Sequence, residues 1–186
     1  GVGKSTLVNA VLALNGVEGR CPKTGVREPV TQKTTVHTSE TIHGIRIYDT
    51  REIEPGKWGP SEAVDEAKDI VERNAAAEDP DKYIHAIWYC VAAGSNRLEG
   101  VEKEALVRLS EIHGDDKLPV IVILTQSYFP EDDEKLIMEI NSVFTNRRVT
   151  VIPVVAVEKG PLESHGIDTL LAETARLSAQ ASNSAY

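Results

Sequence analysis

The sequence is poor in cysteine, in basic charge and in long apolar runs, and each shortage removes a class of protein. Cys21 and Cys90 are the two cysteines, far apart and without metal-ligand spacing. They cannot build a disulfide framework, and a reducing, cytoplasmic setting is expected. Twenty Lys and Arg stand against 29 Asp and Glu, a net charge of −9. Broad binding to a nucleic-acid backbone or an anionic membrane needs clustered Lys and Arg, so both are disfavoured. A small basic pocket for one nucleotide is not. The longest apolar runs, such as VIVIL at 120–124, cannot span a bilayer. Internal repeats and low-complexity tracts are also lacking. Residue 1 is Gly rather than an initiator Met. What remains is a chain of 186 residues, 41% hydrophobic, enough for one domain with a real core.

Helix and strand signals alternate along it. KSTLVNAVLALNG (4–16) has helical apolar spacing and stops at Asn15-Gly16. A polar stretch rich in Gly and Pro follows and reads as loop. TTVHTSETIH (34–43) alternates like an exposed strand, and Gly44 turns it into IRIYDT (45–50) as a hairpin partner. After the loop 51–60, residues 61–77 form an acidic amphipathic helix with Ser61 as its cap. YIHAIWYCVAA (83–93), LPVIVILT (118–125) and RVTVIPVVAV (148–157) are strands, the first two buried. Helices follow them at 100–113, 130–144 and 166–180, the second opening on carboxylates suited to a helix N-terminus. This order predicts an α/β fold with a mostly parallel sheet covered on both faces and one antiparallel edge strand. The domain is expected to span 1–182, with 183–186 a frayed tail or the start of a further region.

The opening GVGKST (1–6) supplies the second half of the phosphate-loop pattern G-x-x-x-x-G-K-[ST]. Its first Gly falls upstream of Gly1, so the expectation is a chain that begins inside the motif, with the fold's first strand upstream. Gly1 and Gly3 let backbone N–H groups turn inward without a Cβ in the way. Lys4 can reach β and γ oxygens, the Ser5 hydroxyl can ligate Mg²⁺, and the helix from Lys4 aims its positive end at phosphate. A GKS triplet can also be a plain Gly-rich helix entry. Its place at the head of a helix in an alternating α/β chain argues for the functional reading. Asp49, at the end of an apolar strand, can hold Mg²⁺ through water. A Thr in the intervening loop would complete the coordination. Thr31, Thr34 and Thr35 are the candidates; Thr31, in PVTQ before the strand begins, ranks first.

Together these residues resemble the translation-factor-related P-loop GTPases, specifically their Era-like and septin-like branch, over nearly the whole chain. GVGKST matches the end of the phosphate loop, PVTQ the switch I Thr and YDTRE the DxxG segment. VILTQS matches the strand bearing the base-reading motif, and PVVAV the strand before the last base-contacting loop. The combination is similar to a set of bacterial Era-related GTPases in which TQ replaces N/TKxD. The resemblance implies a three-layer G domain that binds GTP or GDP with Mg²⁺ and hydrolyses GTP as a molecular switch. It assigns nucleotide contacts to Gly1, Val2, Gly3, Lys4, Ser5, Thr6, Thr31, Thr125, Gln126, Ala156 and Val157, and the metal to Ser5, Thr31 and Asp49. It implies a protein partner or a G-domain dimer, no direct nucleic acid, and a membrane only through sequence outside these residues.

Three departures qualify the resemblance. Glu52 stands where DxxG has Gly, adding a side chain and a negative charge near phosphate; weak binding or slow turnover would follow. TQSY puts Tyr128 where a carboxylate reads guanine, leaving Glu158 as a substitute carboxylate and the guanine assignment resting on the resemblance. No Gln follows the DxxG segment to orient water. The rival readings are a non-catalytic interaction module and an ATP-binding P-loop protein.

Other residues read more plainly. IHAIWYC is a core strand rather than a catalytic cluster, and Arg97 a solvated loop residue. His37 and His43 belong to an exposed strand. EDDE (131–134) is a helix start rather than a Ca²⁺ site, and Ser164-His165 lacks the setting of a hydrolase nucleophile.

Overall fold

A computed structural model describes residues 2–13, 35–38, 45–50, 60–77, 79, 82–95, 97–112, 118–144 and 149–184. In chain order the elements are α1 (Lys4–Ala13), β1 (Thr35–Thr38), β2 (Arg46–Asp49), α2 (Pro60–Ala76), β3 (Ile87–Ala92), α3 (Gly100–Ser110), β4 (Val120–Thr125), α4 (Glu134–Val143), β5 (Thr150–Val154) and α5 (Ile167–Ser184).

The parallel sheet is built on β4, whose VIVILT is buried from end to end. Such a strand has no solvent face and must be covered on both sides. It pairs in parallel with β3 and with β5, giving the order β3-β4-β5. Side-chain alternation divides the core in two. Val120, Val122 and Leu124 join Tyr89 and Val91 of β3 against Val64 and Val71 of α2, Leu106 and Leu109 of α3, and Leu136 and Ile140 of α4. Ile121 and Ile123 join Ile152 and Val154 of β5 against Leu7 and Val11 of α1 and Leu170 of α5. Two polar anchors hold α5 to the sheet: Trp88 Nε1 donates to Thr174 Oγ1 (3.0 Å), and Thr150 Oγ1 donates to Glu173 (3.3 Å).

β1 and β2 pair antiparallel, with Thr35 opposite Asp49. The expectation was one mixed sheet with this pair as its antiparallel edge. Among the described residues the pair instead forms its own two-stranded sheet. Helices bridge it to the parallel sheet: Ile47 packs into the cluster under α1, and Tyr48 OH donates to Asn74 Oδ1 of α2 (3.2 Å). Alternation in a sequence reveals a strand but not its neighbour, which explains the difference.

Several boundaries shift. α2 begins at Pro60, not Ser61, because Pro suits the first turn of a helix. Residues 83–86 precede β3 rather than belonging to it, leaving His85 exposed. Pro130–Asp133 form a 3₁₀ turn ahead of α4. α5 runs past Gln180 to Ser184, supported on its surface by Arg176 pairing with Glu173 and Gln180.

Glu139 of α4 ties down the segment after β3. Its carboxylate accepts from Leu98 N–H (3.2 Å) and pairs with Lys103 (2.6 Å). The Lys103 hydrogen bond, then the Leu98 N–H, hold its carboxyl below the ordinary glutamate pKa of 4.5. A depressed folded pKa means the contribution is whole above that value and disappears as pH falls through the folded one. Urea denaturation between about pH 6 and pH 3 should show Glu139→Gln less stable than wild type at the upper end. The two should converge at the lower end. A gap that persists into acid would contradict this, and a small gap is expected because the pair is solvated.

Candidate functional site

The register puts Ala92 opposite Thr125 and Thr125 opposite Val154. The three strands of the parallel sheet therefore end level, and the loops after them leave on one edge. In open α/β sheets, ligands bind outside that carboxyl edge.

The turn before α1 is fastened there. Thr125, 4% exposed, directs its hydroxyl at the carbonyls of Val2 and Val91, the latter at 3.2 Å. Gly3 has φ +80, left-handed backbone that favours glycine, and a Cβ built on it would lie 3.4 Å from Thr125 and from Gln126 Nε2. Its carbonyl accepts from Leu7 N–H (3.0 Å), starting the α1 ladder. Lys4 opens the helix and bends its ammonium onto the Asp49 carboxylate and the Thr50 carbonyl. Asp49 is 3% exposed, so β2 delivers a buried carboxylate to the N-terminus of α1. Ser5 and Thr6 lie half-buried in the first turn. Beneath them, burial pushes the Cys90 thiol up to about 12, with the nearby Lys4 ammonium pulling the other way. This thiol stays neutral at ordinary pH and offers no nucleophile.

Six of the expected residues thus meet: Val2 with Thr125, Gly3 with Thr125 and Gln126, and Lys4 with Asp49. Ala156 and Val157 lie on the loop after β5, Ala156 packed on the cluster beneath α1 and Val157 exposed. Tyr128 is half-buried, with the Lys159 ammonium 5.2 Å from its ring centroid. Gly1, Thr31 and Glu52 lie outside the described residues, as does His43. Arg97 is exposed and pairs with Glu99 (3.3 Å), in keeping with a solvated role.

Sequence reasoning missed Ser127, Asp133 and His165. Asp133 stands just ahead of α4 but does not cap it; its carboxylate accepts from Ser127 Oγ. His165 Nε2 lies 3.2 Å from the Ser127 carbonyl and donates to it. No periodicity marks such residues, because each sits in a stretch that reads as loop or helix start.

The structure is that of an α/β protein with a level parallel-sheet edge, where a Gly-Lys-Ser turn opens a helix and a buried carboxylate lies beside the lysine. Comparison of the sequence with protein-family models and with curated proteins finds no match. Among the described residues no group of three or more His, Cys, Asp or Glu is gathered as a metal site. No described helix is long and apolar enough to cross a membrane.

Proposed function

We propose that this edge binds a guanine nucleotide with Mg²⁺ and that the chain works as a slow nucleotide-dependent switch. The observation that carries the reading is the meeting of Gly3, Lys4 and Ser5 at the N-terminus of α1 with the buried Asp49 carboxylate. A triphosphate needs backbone N–H groups, a helix terminus and a cation, and the turn opens a helix and carries the Lys4 ammonium. A ligand phosphate would compete with Asp49 and Thr50 for the Lys4 ammonium. Asp49 would then be available, with the Ser5 hydroxyl, to hold a cation. Hydroxyl and carboxylate oxygens suit Mg²⁺, which takes hard donors and shares them with substrate phosphates. When bound, Mg²⁺ would neutralise charge on the β and γ oxygens. Slow turnover and the guanine preference follow from the family resemblance, with Glu52 at the switch position and Tyr128 at the base-reading position.

The test is a titration of the protein with labelled GDP, GTP, ADP and ATP in Mg²⁺. Guanine nucleotides should bind at least about tenfold more tightly than adenine nucleotides, a difference near 1.4 kcal/mol. Lys4→Ala should abolish the binding. Adenine preference would sink the base assignment while leaving the phosphate site. Folded protein that binds none of the four would remove the nucleotide reading.

A further inference from the structure

Ser127 is 1% exposed, yet its three hydrogen-bonding groups are each taken by a different element. Its hydroxyl donates to Asp133 at the entry to α4. Its N–H donates to the Val154 carbonyl at the end of β5 (3.3 Å). Its carbonyl accepts from His165 Nε2, ahead of α5 (3.2 Å). Asp133 is itself buried, at 4% exposure. On the other side of the turn, Thr125 is tied to Val2 and Val91. Between these two fixed points sits Gln126 at φ 58, the one non-glycine among the described residues with left-handed backbone. Its carbonyl accepts from Tyr128 N–H (2.9 Å). A Gln adopts this conformation only where its surroundings impose it. The outcome is an exposed Gln126 with its amide nitrogen beside Gly3.

We propose that Asp133 and Ser127 are positioning residues for the base end of the nucleotide. Their hydrogen bond locks the 125–128 turn and so presents Gln126 next to the phosphate-binding turn. The inference rests on the nucleotide reading above. The phosphates are held by the Gly3–Ser5 turn, and what extends beyond them along the same edge meets Gln126. Losing the lock should therefore cost affinity for the base and leave affinity for phosphate untouched.

Asp133→Ala and Ser127→Ala each remove the bond. Asp133→Asn keeps a carbonyl oxygen that can accept from Ser127, so it is the conservative rescue. Two probes are titrated by calorimetry with Mg²⁺, GDP and inorganic tripolyphosphate, and amide hydrogen exchange at Ser127 and Tyr128 is followed by NMR. Asp133→Ala should weaken GDP about tenfold, the loss of roughly one hydrogen bond to a charged group. Tripolyphosphate should change by less than about twofold, exchange at both amides should accelerate, and Asp133→Asn should behave as wild type. Ser127→Ala should match Asp133→Ala, and the double variant should be no worse than either. Unchanged exchange in both alanine variants would overturn the lock. Faster exchange with unchanged GDP affinity would overturn its role in base binding while the nucleotide reading stands. Wild-type protein that binds neither probe would overturn the nucleotide reading, and the role given to the turn with it.

Discussion

Gly166→Ala is expected to cost more than about 3 kcal/mol of stability, combining a positive-φ penalty with backbone overpacking. Gly166 has φ +86, and a Cβ there would lie 2.2 Å from the Pro153 carbonyl and 3.1 Å from Val154 Cα. Neither atom is the end of a flexible side chain, so α5 or β5 has to move. Movement would disturb the paired bonds between Val155 and His165 (both 3.0 Å) and the first α5 bond, Leu170 N–H to the Gly166 carbonyl (2.9 Å). It would also unseat Leu170, which is fully buried in the cluster shared with α1. Denaturant unfolding reads the effect directly. A loss below about 1 kcal/mol, the scale of an ordinary surface change, would mean that α5 does not approach β5 this closely.

The second large effect lies in the Lys4–Asp49 pair. Lys4→Met should destabilise the protein by about 3 kcal/mol, since it strips the ammonium from a buried carboxylate. The Asp49 side chain is 1% exposed and that of Lys4 is 17% exposed, so water can do little to compensate. Replacing both by apolar residues, as in Lys4→Met with Asp49→Leu, should recover most of the loss, because two desolvation costs vanish with the pair. Recovery is the informative result: a double variant whose loss equals the sum of the losses in Lys4→Met and Asp49→Leu would show that the two side chains act independently. Under the proposed function, the recovered double variant would still fail to bind nucleotide. Folding and binding are then separated in one protein, with Lys4 stabilising the fold when unliganded and meeting phosphate when liganded.

How far the sequence could be read depended on distance along the chain. The helix after Gly3 was legible from its apolar spacing, and the strand VIVILT from its short unbroken apolar run. The turn that opens α1 was legible because a helix terminus, a Gly and a Lys are adjacent in sequence. Asp49 was found from its place at a strand end, although its partner Lys4 lies 45 residues away. Asp133 does stand at a helix start, as expected of 131–134, but its bond to the Ser127 hydroxyl, six residues upstream in another loop, carries no local signal.

By itself, the sequence determined the alternating elements, the apolar strand at the centre of the parallel sheet and the Gly-Lys opening of α1. These follow from local spacing and from the backbone needs of Gly and Pro. Tertiary structure alone decided that, among the described residues, β1 and β2 pair apart from the parallel sheet. It alone brought Thr125 to Val2 across 123 residues and His165 to Ser127 across 38. Apolar residues announce burial through their period, whereas a buried polar group is satisfied by whichever partner the packed fold brings within reach.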